Sequence, residues 1–294
     1  MKQTAFCRAE LVAVLLNVRK DTPCVITLEN GQALPSGPLT MGGHSLQKEL
    51  CRWVEQQTGV VLGHTEQLYT FADTQVADKS RLVRISYMAL ISSHSDQTIA
   101  ERSIYDYFPW EDRRNTEAQA LLQHIVLLLT NWAGNNLAQQ RRCARLFDLP
   151  PHSWNDELAL DRYELLWEAG LVHEAKHFEG QLQLGVPMQA DYRRVLATAL
   201  SRVRAKIRYT SVVFDLLPEM FTLLQLQQAM EALAGCWMHK QNFRRLVLQQ
   251  KLVEETGAFD TPQQGRPAKL YRFRPEAGQN CYLAGAKLPL TPLL

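Results

Sequence analysis

The spacing of hydrophobic residues in the N-terminal part of the chain predicts a domain of mixed strands and helices. Four short runs share aliphatic and β-branched residues bounded by turn residues, which is typical of strands: Leu11–Val18, Val25–Leu28, Leu68–Phe71 and Leu82–Leu90. Between the second and third runs, apolar residues recur at helical spacing through Leu46, Leu50 and Val54, and the pattern ends at Gly59. This spacing predicts a helix over Leu46–Thr58.

Helical spacing dominates the middle of the chain. Helices are predicted at Ala118–Leu137 and Glu157–Ala169, and Asp191–Arg208 has the clearest amphipathic pattern, with one continuous apolar stripe. Five arginines of this last helix are expected to lie mostly off the stripe: Arg193, Arg194, Arg202, Arg204 and Arg208.

The C-terminal third predicts two short helices joined by a tight turn. Thr222 is suited to an N-cap and Gln225 follows three residues later, which is the pattern of a capping box. Gly235 ends this helix because glycine readily adopts the left-handed conformation of a helix C-terminus. A short turn over 236–239 leads to a second helix at Lys240–Gln250, so the pair is interpreted as a helix-turn-helix.

Two strand-like runs follow the second helix. They are Leu252–Thr256 and Ala268–Phe273, and the loop Gly257–Pro267 joins them. A hairpin in this position is the wing of a winged helix, and Arg266 near its tip is suited to a phosphate or to the minor groove of DNA.

The outer face of the second helix carries the candidate chemistry. Amides and guanidinium groups contact base edges and phosphates in protein–DNA complexes. The predicted DNA-binding residues are Lys240, Gln241, Asn242, Arg244 and Arg245 on the helix, with Arg266 and Lys269 in the wing. Gln241 and Asn242 are chosen for base edges because an amide bonds adenine bidentately. The alternative is an ordinary solvated basic face.

The distribution of charge favours the same interpretation, although the net charge of the chain is only +2. The segment 191–274 holds 14 Lys+Arg against 7 Asp+Glu, a balance of +7, which leaves −5 for the rest. Six scattered cysteines without a CxxC pair argue against a zinc site and predict a reducing, cytoplasmic location. No apolar run approaches the length of a membrane span, so no membrane partner is expected.

The predicted helix Leu46–Thr58 resembles the Nudix box in its frame. Four residues match the Arg, aliphatic, Gly and aliphatic positions of the box: Arg52, Val54, Gly59 and Val60. The loop 34–37 precedes them, as in the box. The glutamates that hold divalent metal in this box are replaced by Trp53, Gln56 and Gln57. Neutral amides are poor ligands for Mg²⁺. The pattern therefore predicts a Nudix-like fold with no catalytic residues and no metal.

Five C-terminal segments form a further pattern: Asp191–Leu200, Leu217-Pro218, Phe221–Leu223, Asn242–Arg245 and Gly265–Ala268. Together they resemble the Nudix-related transcriptional regulators of NAD metabolism, the NrtR type. The resemblance covers 8–91 and 157–274, and the long middle 92–140 is similar to the longer, proteobacterial branch. It implies an α/β fold: a Nudix-like α/β/α sandwich over 1–180, a mostly helical winged helix-turn-helix domain over 187–275, and a tail over 276–294.

The resemblance also implies a function. It predicts a homodimeric regulator, a repressor of NAD-biosynthesis genes, that binds a near-palindromic double-stranded DNA operator. The small effector is expected to be NAD, ADP-ribose or ATP, with no bound cofactor. Arg52 has lost its usual carboxylate neighbours and is predicted to hold ligand phosphate. The further predicted ligand residues lie on nearby strands: Phe71, Arg81, Arg84 and Tyr87.

Two other classes of function stay open from the sequence. One is a Nudix pyrophosphatase that acts on ADP-ribose or a relative through non-standard ligands such as Glu49 and Glu55. The other is an adaptor that uses its winged helix to bind a protein. A hydrolysis assay and the salt dependence of DNA binding separate them from the regulator.

Overall fold

The computed structural model describes residues 7–40, 45–73, 81–92, 100–178, 180, 182–261 and 267–274. The strands of the N-terminal part are β1 (Cys7–Arg19), β2 (Thr22–Ile26), β3 (Ser36–Pro38), β4 (Glu66–Asp73), β5 (Arg81–Leu90) and β6 (Glu101–Ser103). The helices up to the winged helix are α1 (Leu46–Thr58), α2 (Ile104–Tyr107), α3 (Thr116–Ala133), α4 (Leu137–Leu146), α5 (Ala159–Glu168) and α6 (Tyr192–Tyr209).

The sheet is mixed and is built around β1. Its order is β4-β5-β1-β2-β6, and β3 also pairs with β1. β1 is parallel to β5, with Leu11 opposite Ile85, and antiparallel to β2 and β3. The parallel pairing explains why α1 lies between β1 and β5 in the chain, since parallel neighbours need a long crossover connection.

Both faces of β1 are covered, as the unbroken apolar run Leu11–Leu16 predicts. Alternate residues from Leu11 to Leu15 pack against Leu50 and Val54 of α1. The residues between them, Val12 to Leu16, join a larger apolar cluster that is built with the later helices. The predicted α/β architecture with helices on both faces of the sheet is therefore confirmed.

The helix α1 has the bounds that the sequence pattern predicts. The hydroxyl of Ser45 caps its first turn by accepting a hydrogen bond from the Lys48 amide at 3.4 Å. Gly59 ends it in the left-handed conformation, with φ of 73°. Both ends are set by residues next to the helix in the chain, which is why the pattern locates them.

The predicted helix Ala118–Leu137 is wrong as a single element. α3 ends at Ala133 because Gly134 has φ of 48° and leaves the helical path. A new helix, α4, then begins with Asn136 as its cap, whose side chain accepts a hydrogen bond from the Ala138 amide at 3.0 Å.

The helix α6 matches its prediction within one residue at each end, but the expected exposure of its arginines is partly wrong. Arg193 and Arg204 are fully buried. Arg193 pairs with Glu174 at 2.9 Å, and Arg204 pairs with Glu111. The partners lie outside the helix, 19 and 93 residues away in sequence, so the amphipathic pattern of α6 does not indicate them.

The C-terminal part folds as a winged helix. It contains α7 (Leu223–Ala234), α8 (Lys240–Gln249), β7 (Val253–Asp260) and β8 (Ala268–Phe273). The capping box of Thr222 and Gln225 is confirmed, with the side chains and amides bonded in both directions. Phe221 adds a short bridge to Tyr271 at the edge of the hairpin.

The first wing strand is longer than predicted. Glycine at position 257 does not end β7; it forms an irregularity in the β7–β8 register with φ of 80°, and the strand continues to Asp260. The tip of the predicted wing, including Arg266, lies outside the described residues. Within the described ranges, no helix has the length and apolar character needed to cross a bilayer.

One apolar cluster runs from the sheet to the winged helix. It includes Val12 of β1, Leu196 of α6, Met230 of α7 and Phe243 of α8. α6 lies against β1 and β4, and α7 lies against β1 and β2. The helix-turn-helix is thus packed directly on the sheet, and the boundaries at 180 and 187 stay predictions.

Candidate nucleic-acid interface and sensor site

The outer face of α8 presents the five predicted helix residues to solvent. Phe243 and Val247 are fully buried and attach the helix to the core. The side chains that point away from them are all exposed: Lys240, Gln241, Asn242, Arg244 and Arg245. Among the described residues, no carboxylate lies within 4.0 Å of the three basic groups in this set. Their positive charge is therefore available to a partner.

The N-terminus of α8 is capped by His239, which was not among the predicted site residues. His239 accepts a hydrogen bond from the Asn242 amide through Nδ1 at 3.4 Å. Histidine is not among the preferred N-cap residues, so its position before the helix did not indicate this role.

A buried polar pair holds the turn between α7 and α8. Glu231 accepts hydrogen bonds from the Met238 amide and from the Gln227 side chain, each at 2.8 Å. Gln227 also donates to the Met238 carbonyl at 3.3 Å. Both side chains are buried. Their spacing of four residues on the inner face of α7 is the sequence pattern that identifies such a pair.

The wing places Lys269 in a cross-strand ion pair. Its Nζ lies 2.9 Å from both carboxylate oxygens of Glu255, and both side chains are 53% exposed. The hydrogen bond with Glu255 raises the pKa of Lys269, so the amine stays charged. Lys269 is therefore exposed as predicted, but its positive charge is partly neutralised by Glu255.

The charge count of the C-terminal segment overstates its free positive charge. Several basic residues of α6 are neutralised by acids that precede the segment. Lys206 pairs with Glu66 of β4, in addition to the Arg193–Glu174 and Arg204–Glu111 pairs. At the helix-turn-helix, the excess of positive charge is therefore provided by the exposed basic residues of α8.

Two of the three residues that replace the box glutamates contact the loop before α1. The Trp53 ring lies against Gly37 so closely that a Cβ at position 37 would be 2.3 to 2.6 Å from ring carbons. Gln57 exchanges two hydrogen bonds with the backbone of Ser36, at 3.1 and 2.6 Å. Two of the three replaced positions therefore hold the loop before α1 instead of presenting charged oxygen.

The carboxylates of the alternative enzyme do not converge. Glu49 is buried and accepts a hydrogen bond from the Thr40 hydroxyl, whereas Glu55 is exposed. Six residues apart on a helix, the two side chains point in directions about 120° apart. Within the part of the chain that is described, no group of three or more His, Cys, Asp or Glu side chains is placed to hold a metal.

The structure separates the five predicted ligand residues. Phe71 and Arg84 are opposite each other in the β4–β5 register, and Phe71 packs toward the larger apolar cluster. Tyr87 is buried on the other face of the sheet, with α1. Arg52 and Arg81 are exposed at the surface. Phe71 and Arg84 thus share one face of the sheet, whereas Arg81 and Tyr87 lie on the other by strand alternation, and the ligand role of all five stays a prediction.

Arg84 belongs to a polar cluster that joins the sheet to α6. Its Nε lies 2.8 Å from Oε2 of Glu10, and its guanidinium lies 5.7 Å from the centre of the Tyr192 ring. The Tyr192 hydroxyl lies 2.9 Å from Oγ of Ser36 and donates to Glu10 at 3.1 Å. Burial raises the pKa of Tyr192, which keeps the hydroxyl neutral. The loop held by Gln57 is therefore linked to the first turn of α6.

Comparison with known proteins finds a matching family model for the C-terminal part of the chain and one similar curated protein. Residues 213–273 match the family model for the NrtR DNA-binding winged helix domain. The chain is 37% identical over 90 residues to the ADPR responsive transcriptional repressor NtrR of Acinetobacter baylyi. That match covers 31% of this chain and 36% of the relative, so it spans about a third of the relative's length.

Two solved structures share the fold over nearly the whole chain. Shewanella oneidensis NrtR in complex with a 27mer DNA has a TM-score of 0.56 at 21% identity, covering 97% of this chain and 99% of that one. A MutT/nudix family protein from Enterococcus faecalis has a TM-score of 0.50 at 15% identity, covering 93% and 89%. The predicted resemblance is confirmed: residues 213–273 match the NrtR winged helix domain model, and the chain shares the overall fold of NrtR.

Proposed function

We propose that this chain is a DNA-binding transcriptional repressor of NAD-biosynthesis genes, whose Nudix-like domain senses an adenine nucleotide without hydrolysing it. The observation that carries the proposal is the exposed face of α8 within a segment that matches a DNA-binding family model. ADP-ribose is the first choice of effector because the Acinetobacter relative is named for its response to it. NAD and ATP are the other candidates.

The dimensions of α8 suit the major groove. Its 10 residues span roughly 15 Å at about 1.5 Å each. The N-terminal residues of a recognition helix contact base edges, which assigns Gln241 and Asn242 to that role. Arg244 and Arg245 follow one turn later and are assigned to phosphates or guanine.

A binding titration tests the two roles separately. The operator is first selected from a random DNA library with the purified chain. Asn242→Ala is expected to cost about 1–3 kcal/mol and to relax specificity at one base position, whereas Arg244→Ala lowers the salt slope by about one unit. Arg145→Ala on α4 is the control, since its side chain is 60% exposed on another helix. If Asn242→Ala and Arg244→Ala both bind like the parent, α8 is not the DNA surface.

The wing completes the proposed surface with Arg266 and Lys269. Lys269→Ala is expected to weaken DNA binding less than Arg244→Ala, because Glu255 already neutralises part of its charge. The same titration measures both variants. An effect of Lys269→Ala larger than that of Arg244→Ala contradicts this order.

The effector is tested by calorimetry against ADP-ribose, NAD and ATP. Arg52 is the best variant, because its exposed side chain can be removed without disturbing the core. If it bonds a ligand phosphate, Arg52→Ala weakens binding by about tenfold or more, the size expected for a charge-assisted hydrogen bond. Arg145→Ala again serves as the control. No heat of binding at millimolar ligand counts against a nucleotide sensor.

A hydrolysis assay with Mg²⁺ tests the absence of catalysis. The Trp53 ring and the Gln57–Ser36 hydrogen bonds support it, since they occupy positions where active enzymes carry glutamates. Turnover of ADP-ribose or NAD near 1 s⁻¹, within the usual range of enzymes, would show that the chain is a pyrophosphatase instead.

A homodimer acting in the cytoplasm completes the proposal. Two recognition helices related by a two-fold axis match two half-sites about one helical turn apart. Light scattering of the protein–operator complex gives the number of chains. One chain per operator would contradict the dimer and leave the DNA-binding role intact.

A further inference from the structure

The segment 105–114, which contains most of α2 and leads into α3, is bonded to the end of α7 and to the turn after it. The Tyr105 hydroxyl donates to the Ala232 carbonyl at 2.5 Å. The Arg113 amide donates to the Gly235 carbonyl at 2.8 Å. Ala232 is among the last four residues of α7, whose carbonyls lack partners within the helix. The segment therefore supplies bonds that the helix end needs.

Arg114 and Trp237 extend this contact into the turn before α8. The Trp237 Nε1 donates to the Arg114 carbonyl at 2.9 Å, and the Arg114 guanidinium lies 5.6 Å from the centre of the Trp237 ring. Trp237 is two residues before the His239 cap of α8. The residue that leads into the recognition helix is thus bonded to the middle of the chain.

The approach is so close that only glycine fits at position 235. Its φ is 70°, and a Cβ there would lie 2.2 Å from the Glu111 carbonyl oxygen and 3.0 Å from the Tyr105 hydroxyl. Arg204 of α6 joins α7 to the 105–114 segment at the same contact, since it donates to the Leu233 carbonyl at 2.9 Å and to the Glu111 carbonyl at 3.1 Å.

The other side of the segment is attached to the sheet. Arg114 donates to the carbonyl of Asp21, in the turn between β1 and β2, at 2.8 Å. The side chain of Asp21 in turn accepts a hydrogen bond from Gln228 of α7 at 3.0 Å. The sheet, the 105–114 segment and the helix-turn-helix are therefore each bonded to the other two.

We propose that the 105–114 segment is a positioning element: it sets the orientation of the recognition helix on the Nudix-like sheet, and Tyr105 is its positioning residue. Tyr105 is buried and lies behind α7, so it acts on DNA only through α7 and the turn. This inference rests on the proposed DNA-binding function. It assigns a role to the part of the chain that separates the sheet from α5 and α6.

The full chain offers a matched pair of variants for the test. Tyr105→Phe removes the bond to Ala232, and Tyr107→Phe removes a bond of 2.6 Å from a second buried tyrosine of α2 to the Gly31 carbonyl, away from the helix-turn-helix. Each loses one hydroxyl from the same helix. Affinity for the selected operator and amide hydrogen exchange of the 235–239 turn are measured for both.

Tyr105→Phe is expected to weaken operator binding about threefold to tenfold, the equivalent of one hydrogen bond. The salt slope stays unchanged, because no phosphate contact is lost. Exchange in the 235–239 turn becomes faster, while Tyr107→Phe leaves both measurements within about twofold of the parent.

Equal behaviour of the two variants in affinity and exchange overturns the positioning role, because loss of any buried hydroxyl would then have the same effect. If the parent binds no DNA, the proposed function fails, and the exchange measurement still decides whether the segment holds the turn.

Discussion

Glu111 is a fully buried carboxylate that bonds two fully buried arginines, and its replacement by glutamine is the sharpest test of how the helical middle is held. Arg162 of α5 contacts it through two bonds of 2.6 and 2.8 Å, and Arg204 of α6 contacts it through Nη1. All three side chains have no exposed surface. Burial alone would raise the pKa of Glu111, but the two arginines together lower it.

The expected cost follows from what Glu111→Gln leaves behind. The amide has nearly the size of the carboxylate, so packing is kept while the negative charge is lost. Two buried guanidinium groups then lose the carboxylate that they share, and removal of one partner from a buried pair costs about 3–5 kcal/mol. At about 2–4 °C per kcal/mol for a large chain, the Tm falls by roughly 6–20 °C.

Thermal unfolding followed by circular dichroism measures this cost, and Glu168→Gln is the matched control. Glu168 pairs with Arg142 in the same helical region, but their side chains are 43% and 38% exposed. A surface pair of this kind contributes about 1 kcal/mol or less. If Glu111→Gln and Glu168→Gln shift the Tm equally, the buried cluster does not stabilise the fold as argued.

Three further outcomes follow from single positions. The pKa of Glu111 in the folded protein is below its ordinary value of 4.5. Its contribution to the free energy of unfolding is therefore complete above pH 4.5 and is lost as the pH falls through the folded-state pKa. Acid titration should destabilise the parent more than Glu111→Gln. Phe243→Ala removes a fully buried ring of α8 and is expected to cost about 3–5 kcal/mol in urea unfolding. Leu248→Ala, 45% exposed on the same helix, changes stability by about 0.5 kcal/mol at most. Gly235→Ala and Gly257→Ala both place alanine at positive φ, but only the first meets backbone within 4 Å. Gly235→Ala should therefore melt at a clearly lower temperature, and equal melting contradicts the close approach.

Features that depend on neighbouring residues were predictable from the sequence. The bounds of α1, the Thr222–Gln225 capping box and the end of α7 at Gly235 follow from side chains within a turn of the helix. The exposed face of α8 follows from helical spacing around Phe243 in the same way. Strand alternation also separates Arg84 from Tyr87, since an odd spacing places them on opposite faces of the sheet. The predicted set of ligand residues nevertheless included both.

Features that join distant segments were decided by the tertiary structure. The +7 balance of 191–274 predicted a basic surface, yet Arg193 and Arg204 are neutralised inside the protein by Glu174 and Glu111. The attachment of 105–114 to the end of α7 likewise joins residues more than a hundred positions apart. Local spacing records which face of a helix is apolar. It does not record which distant group completes a buried charge or an unpaired carbonyl, because that partner is chosen only when the chain closes on itself.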